Sequence, residues 1–386
     1  MRRVAAGPLV ALLLVPGCSS VKATAPVAPP PVITVSPAFD SVRARTEDGL
    51  VVKAGGGTLT RVVATGRGTT VEGRLDPTGT TWRSTWTLVP GTEYTVTATA
   101  RRPGAPEAMA VGRFRTRAAT QTVGIASISP LPGEVVGVGA PIIVTFDGAV
   151  SDKAAVERTL EVRAAKPVEG AWRWMSDSQV VYRTRRYWPS RQTVTLTAHL
   201  AGVRAATGVY GAADHRLTFA IGRRQTSTID TATKQMLVRR DGRVVQRMAI
   251  SAGMATTREY TTTSGVHLTM EKGNPVRMVS PGRRKGEPGF YDLLIDHAVR
   301  ISNSGEYVHA KDNLWAQGRA NVSHGCVNAR PDQAAWFYAS SLRGDPVTIT
   351  GTARTLAWDN GWGFWQLPWA KWVTGSALRS GEQTLP

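Results

Sequence analysis

Glycine and proline recur at short intervals from residue 32 onward, and the segments between them are brief and rich in Val and Thr. This punctuation constrains the fold most, because short β-branched runs between turn residues read as strands. In the first stretch the predicted strands are 32–35, 59–63, 69–75, 81–88, 93–100 and 108–116, with turns such as Pro90-Gly91 and Pro103-Gly104. That spacing predicts a β-sandwich over 32–120, with no cysteine pair to pin its sheets. Trp82 and Trp86 are four residues apart, which places them on one face of a strand as packing residues.

A second β-sandwich is predicted over 121–222. Residues 142–146 and 179–184 read as strands, Trp172 and Trp174 alternate and so share a face, and 152–160 reads as a short helix capped by Ser151 or Asp152. Arg183, Arg185, Arg186 and Arg191 surround Tyr187-Trp188-Pro189. They read as a solvated edge strand, with contact to an anionic polymer as the functional alternative. Neither module carries a residue set for chemistry, so their expected role is that of spacers or of weak contacts to a polymer.

Residues 223–350 also read as mainly β. Residues 235–240, Asp241-Gly242 and 243–250 form a hairpin signal with a type I′ turn. Residues 331–342 read as a helix, with Pro331 at its first position and Arg343-Gly344 ending it. Between them, 310–322 has no periodicity and reads as a loop beside the site, with Trp315 either on a substrate or anchored in the core. A tail over 351–386 holds Trp358, Trp362, Trp365, Trp369 and Trp372. So much exposed aromatic surface would be a liability, so the tail reads as a clamp between domains, with a carbohydrate platform as the alternative.

The first 18 residues read as a targeting segment: Arg2 and Arg3, then a short apolar run, then Val15-Pro16-Gly17-Cys18. This predicts a lipoprotein cleavage box with Cys18 as the lipidated residue; an ordinary secretory signal is the alternative. Residues 19–31 are rich in Ala and Pro and read as an extended tether. The expected location is extracytoplasmic, on the outer face of the cell membrane. The formal charge of +19 suits a polyanionic neighbour such as anionic lipid or a wall phosphate polymer. Without a zinc finger, an RNA-recognition signature or a basic helix, nucleic acid is not an expected partner.

Chemistry concentrates at Ser323-His324-Gly325-Cys326-Val327-Asn328, with His309 upstream. Cys326 is one of two cysteines, and the other is Cys18. Oxidised cysteine in exported proteins is usually paired, so an unpaired thiol there suggests reactivity. A free thiol is mostly protonated at neutral pH, and a nearby imidazole can take its proton. The residue types therefore assign Cys326 as nucleophile and His309 as base. The backbone N–H groups of His324, Gly325 and Cys326 are candidate oxyanion donors, and Gly325 allows the close turn. The bland alternatives are a structural cysteine, or a zinc site of His309, His324 and Cys326 that lacks an evident fourth ligand. His199, His215, His267 and His297 read as structural or surface residues.

Tyr307-Val308-His309, Trp315-Ala316-Gln317-Gly318, Asn321 to Asn328, Ala335-Trp336-Phe337-Tyr338 and Arg343-Gly344-Asp345-Pro346-Val347 together resemble the L,D-transpeptidases with a YkuD-type catalytic domain. The resemblance is to the actinobacterial kind, with two Ig-like domains before the catalytic domain. It implies a cysteine acyltransferase that joins peptidoglycan stem peptides by 3→3 cross-links through a thioester, with donor and acceptor stems as partners and no metal or organic cofactor; the oligomeric state stays open, with a monomer expected. It implies acylation by carbapenems. Tyr291, Met278, Ser323, Asn328 and Trp315 are the substrate-side residues it suggests. Ala310 departs from the usual Ser after the first His, which removes a hydroxyl partner and leaves a backbone carbonyl as the alternative that could orient the imidazole. The rival readings are an L,D-carboxypeptidase of the same fold and a non-catalytic wall-binding lipoprotein.

Overall fold

The computed structural model describes Met1 and residues 28–280 and 282–378. The expected lipidation site, Cys18, lies outside the described residues. The first module pairs two four-stranded sheets, ordered Val32–Ser36, Val51–Gly55, Thr81–Ser84, Gly73–Leu75 and Thr69–Thr70, Thr58–Gly66, Glu93–Arg101, Ala108–Arg115. Burial alternates along Glu93–Arg101, and Tyr94, Val96, Ala98 and Ala100 meet Leu50, Val52 and Trp82 in one core. Strand Val51–Gly55 was not foreseen, because its Lys and the glycines after it obscure the alternation.

Trp86 does not share a face with Trp82. Trp82 is in the core, but the strand ends at Ser84, whose Oγ accepts from Leu50 N–H and donates to the Trp86 carbonyl. The freed Trp86 ring stacks on His199 of the second module, 3.6 Å between centroids. Thr46 Oγ1 and Thr87 Oγ1 donate to the carbonyls of Gly202 and Ala201 across the same boundary. Gly202, at φ +77°, is required there: a Cβ would fall 1.9 Å from the Leu88 carbonyl oxygen.

The second module packs Ile125–Ser129, Ile142–Phe146, Gln179–Thr184 and Gly170–Trp174 against Val135–Val136, His215–Ile221, Gln192–Ala198 and Leu160–Ala164. Trp172 and Trp174 both pack on its core. Asp152 caps the short helix Lys153–Glu157, its Oδ1 accepting from Ala155 N–H. The basic cluster is not one solvated edge. Arg183 is 4% exposed, whereas Arg185 pairs with Glu169 and Arg191 with Asp241.

The third module is built on a nine-stranded sheet in the order Gly265–Leu268, Pro346–Thr350, Gln225–Asp230, Gln235–Arg240, Arg243–Ser251, Val327–Ala329, Tyr307–Ala310, Ala298–Arg300, Lys272–Gly273. Asp241 and Gly242 both take positive φ, as a type I′ turn needs. Helix Pro331–Ser340 lays Ala334 and Phe337 on the core of Met236, Val238, Ile250, Val308 and Val327. It stops two residues short of the predicted end because Ser341 is extended and the Leu342 N–H is taken by Asp345 Oδ2. Val276–Val279 and Asp292–Ile295 form a separate two-stranded hairpin.

The tryptophan tail joins the second and third modules. Trp372 is fully buried with Phe364, Ala171 and Val181, and its Nε1–H donates to the Ala171 carbonyl. Trp365 Nε1–H donates to the Gly139 carbonyl, and Gln366 Oε1 accepts from Val266 N–H. With Trp372 buried and Trp358, Trp362 and Trp369 packed against the same cluster, the tail clamps the two modules together. Backbone contacts reinforce it: Gly137 and Gly139 N–H donate to the carbonyls of Arg343 and Gly344. The second module is thus fixed to the catalytic one and is no free spacer. The first module's hydrogen bonds across a boundary, such as those of Thr46, Thr87 and Arg117, run to the second. Deleting residues 32–118 is therefore expected to leave acylation of Cys326 within about twofold of the full chain, since the site and the contacts between the second and third modules are untouched. A large loss, read by intact mass against time, would overturn the spacer role of that module.

Candidate active site

Strand register builds the site. Tyr307–Ala310 runs parallel to Val327–Ala329, with Val308 opposite Val327 and His309 opposite Asn328. Val308 and Val327 are fully buried in the core. Side chains alternate across a sheet, so Tyr307, His309, Cys326 and Asn328 share the other face. That face opens into a cleft of about 330 Å³, lined by His309, Cys326, Asn328, Ser323, His324 and Gly325. The hairpin adds Met278, Tyr291, Leu293 and Ile295 to the wall.

His309 is 5% exposed, and its Nδ1 lies 2.8 Å from the Ala310 carbonyl oxygen. A carbonyl only accepts, so Nδ1 carries the hydrogen and Nε2 keeps the lone pair. The imidazole is oriented by the backbone carbonyl of Ala310, the alternative that the sequence left open. Burial pushes the imidazole pKa down to about 4, opposed by the Ala310 bond and aided by Lys311. Cys326 Sγ sits 3.5 Å from the Gly305 carbonyl oxygen, an acceptor for its S–H. The thiol is reached from the cleft, yet desolvation pushes it up to about 12, against a hydrogen bond from the Tyr307 backbone and helped by Glu306. The thiol and the imidazole are therefore both neutral at pH 7.

A measurable consequence follows. At pH 7 a thiol of this pKa is roughly one part in 10⁵ thiolate, so iodoacetamide should alkylate Cys326 far more slowly than free cysteine. The rate should climb with pH through 10 without levelling, because the raised pKa lies above that range. A plateau near pH 8 would show an ion-paired thiolate instead.

The loop around the nucleophile is held by hydroxyls. Ser323 Oγ donates to the Cys326 carbonyl at 2.5 Å and accepts from Gly325 N–H at 3.1 Å. Ser323 is thus a loop brace, although it borders the cleft, and the Gly325 N–H is not available as an oxyanion donor. Of the three candidate donors the N–H groups of His324 and Cys326 remain, while Gly325 supplies the turn with φ +125°. Thr262 Oγ1 donates to the Gly325 carbonyl and accepts from Gly253 N–H. The sequence pointed to the threonine run only as turns; its closeness to Gly325 is tertiary.

The His324 ring is exposed and stacks on Tyr260 at 4.1 Å, with Tyr291 at 5.5 Å. Burial and Arg283 lower its pKa. Tyr291 has its phenol pKa raised by burial and by Cys326, so it stays a neutral hydroxyl at the cleft. Trp315 is 65% exposed and is neither a core anchor nor a lining residue of the cleft; Lys311 and Asn313 of its loop reach there instead. Among the described residues no three His, Cys, Asp or Glu side chains are grouped to hold a metal ion.

A sandwich pair followed by this sheet and cleft defines bacterial Ig-type modules carrying an L,D-transpeptidase catalytic domain. Residues 224–349 match the L,D-transpeptidase catalytic domain family, and 41–204 match a bacterial Ig domain family. The chain is 35% identical to L,D-transpeptidase 5 of Mycobacterium tuberculosis over 96% of this chain and 83% of that one. It is 33% identical to L,D-transpeptidase 2 of the same species over 90% of this chain and 85% of that one. The solved structure of the L,D-transpeptidase LdtMt1 in complex with imipenem superposes with a TM-score of 0.51 at 33% identity, covering 59% of this chain and 99% of that one. The chain belongs to the L,D-transpeptidase family.

Proposed function

We propose that this protein cross-links peptidoglycan by a cysteine acyl-enzyme route. The observation that carries the reading is His309: its Nδ1–H is spent on the Ala310 carbonyl, which leaves a basic Nε2 on the sheet face that also bears Cys326. Cys326 Sγ attacks the carbonyl of the third residue of a tetrapeptide stem, a meso-diaminopimelate in this reading, as His309 Nε2 takes the thiol proton. The backbone N–H groups of His324 and Cys326 receive the carbonyl oxygen's charge. The C–N bond then breaks, and His309 returns the proton to the departing D-Ala amine. The side-chain amine of a second stem attacks the thioester, releases the thiol and leaves a 3→3 cross-link. No metal or organic cofactor enters the scheme.

The targeting segment supports an extracytoplasmic enzyme, tethered at Cys18 to the outer face of the membrane and facing the wall. Its basic character suits anionic wall polymers. Mass spectrometry of products from a tetrapeptide stem tests the reaction. A cross-linked dimer is expected when an acceptor amine is present. Tripeptide alone under both conditions would identify a carboxypeptidase, and no product with an unreactive Cys326 would identify a wall-binding lipoprotein.

A further inference from the structure

Among the described residues, three Lys or Arg side chains line the cleft: Arg283, Lys311 and Arg354. Two of them are engaged within the protein. Arg283 pairs with Glu259 at 3.2 Å, and its guanidinium lies over the Tyr260 ring, 5.6 Å from the centroid. Arg354 Nη1–H donates to the carbonyls of Arg258 and Thr261 at 3.1 and 3.2 Å. Both stand with the 258–261 segment, whose Tyr260 stacks on His324 of the nucleophile's loop. Lys311 differs. Its Nζ lies 3.9 Å from Asp312 Oδ1, beyond hydrogen-bond reach, and the Asp312 side chain is 90% exposed, so the pair is weak.

The backbone sets where this cation stands. The strand's last residue is Ala310, yet Lys311 N–H donates to the Ala329 carbonyl at 2.9 Å and carries the parallel ladder one residue further. Alternation then puts Lys311 on the face of His309, and both border the same cleft. Gln317 is buried, and its Nε2–H donates to the Lys311 carbonyl at 2.8 Å, which holds this backbone in place. Val308 is opposite Val327, so Cys326 stands level with Tyr307, His309 with Asn328, and Lys311 past both. At about 3.3 Å per residue, His309 lies roughly 7 Å along the strands from the level of Cys326, and Lys311 roughly 7 Å further. The cleft thus offers thiol, imidazole and cation in that order.

A tetrapeptide donor carries its groups in the same order. The carbonyl that the sulfur attacks is followed by the amide nitrogen of the last residue, then by that residue's Cα and its free carboxylate. With the carbonyl carbon at Cys326 Sγ and the departing nitrogen at His309 Nε2, the carboxylate continues along the strands toward Lys311. The four methylenes of the lysine span the remaining gap. We propose that Lys311 binds the terminal carboxylate of the departing D-Ala and so selects donor stems that end at that residue. Lys311 touches the substrate but not the reacting atoms. A charge-assisted hydrogen bond there holds the scissile amide across the thiol and aims the leaving nitrogen at the imidazole. A stem with one more residue would place an uncharged amide beside Lys311 in place of the carboxylate.

This role rests on the proposed acyl transfer. Its test gives the full chain two donor stems, one ending in D-Ala and one in D-alaninamide, and follows release of the last residue by mass spectrometry. Wild type should favour the carboxylate by about tenfold or more in kcat/KM, mainly through KM, as loss of a charge-assisted bond implies. Lys311→Ala should bring that ratio within about twofold of one. Lys311→Arg should keep the preference, and Lys311→Glu should reverse it. Melting temperature and iodoacetamide alkylation of Cys326 check that each variant retains its fold and thiol. A wild type indifferent to the terminal carboxylate, or a preference that survives in Lys311→Ala and Lys311→Glu, would overturn the role of Lys311 and leave the reaction standing. Release from neither stem by a protein whose Cys326 alkylates would overturn the proposed reaction, and the role of Lys311 with it.

Discussion

Incubated with imipenem, the wild-type protein should gain one drug mass per chain, and Cys326→Ala should gain none. Cys326 is the one free cysteine among the described residues, and it is the thiol that the cleft reaches. Loss of the nucleophile is expected to lower acyl transfer by on the order of 10⁴-fold or more, since nothing else in the cleft can form the thioester. His309→Ala should retain the thiol but lose its base, with a fall of about 10²–10⁴-fold near neutral pH. The sign of its pH dependence is set by the raised thiol pKa of about 12: with the base gone, rate should rise with pH as thiolate forms unaided. Intact-mass time courses at several pH values read both variants. An adduct on Cys326→Ala, or none on folded wild type, would overturn the assignment.

Arg183→Ala is expected to loosen the tail and destabilise the protein by about 3 kcal/mol. The guanidinium is buried, and its Nη1–H and Nη2–H donate to the Phe364 and Leu367 carbonyls at 3.0 and 3.1 Å. Trp365, Trp369 and Trp372 surround it, with ring centroids 4.9, 5.5 and 4.8 Å away. Burial lowers its pKa to about 10, so it remains charged at neutral pH with aromatic faces in place of a carboxylate. Truncation takes the guanidinium donor from the Leu367 carbonyl, leaves the Phe364 carbonyl with the Leu367 N–H alone, and opens a void between three indoles. In a chain this size that is a fall in melting temperature of several degrees, with earlier proteolysis of the tail. Arg183→Lys should recover only part of the loss, because an ammonium cannot span both carbonyls as a fork. A melting temperature equal to wild type would show that the clamp does not depend on this cation.

The sequence alone pointed to the sandwich modules, because turn residues and β-branched runs report backbone preference locally. It also singled out Cys326, His309 and Asn328, which the structure brings to one cleft. The same local logic failed at single residues whose partners are distant in the chain. Trp86 followed the strand alternation on paper, but the strand had already ended, and the ring went to His199. Arg183 looked like surface charge, and the tail buried it. Gly325 looked like an N–H donor to substrate until Ser323 Oγ took that hydrogen.

Residue identity therefore determined which side chains the cleft can offer, a thiol and an imidazole, and the alternation that makes the chain β. Tertiary structure decided how the parts are set. The Val308–Val327 register turns His309 and Cys326 to one face, and the Ala310 carbonyl fixes the tautomer that a missing hydroxyl left open. Such contacts depend on which segments meet after folding, and a local pattern of side-chain types carries no information about that meeting.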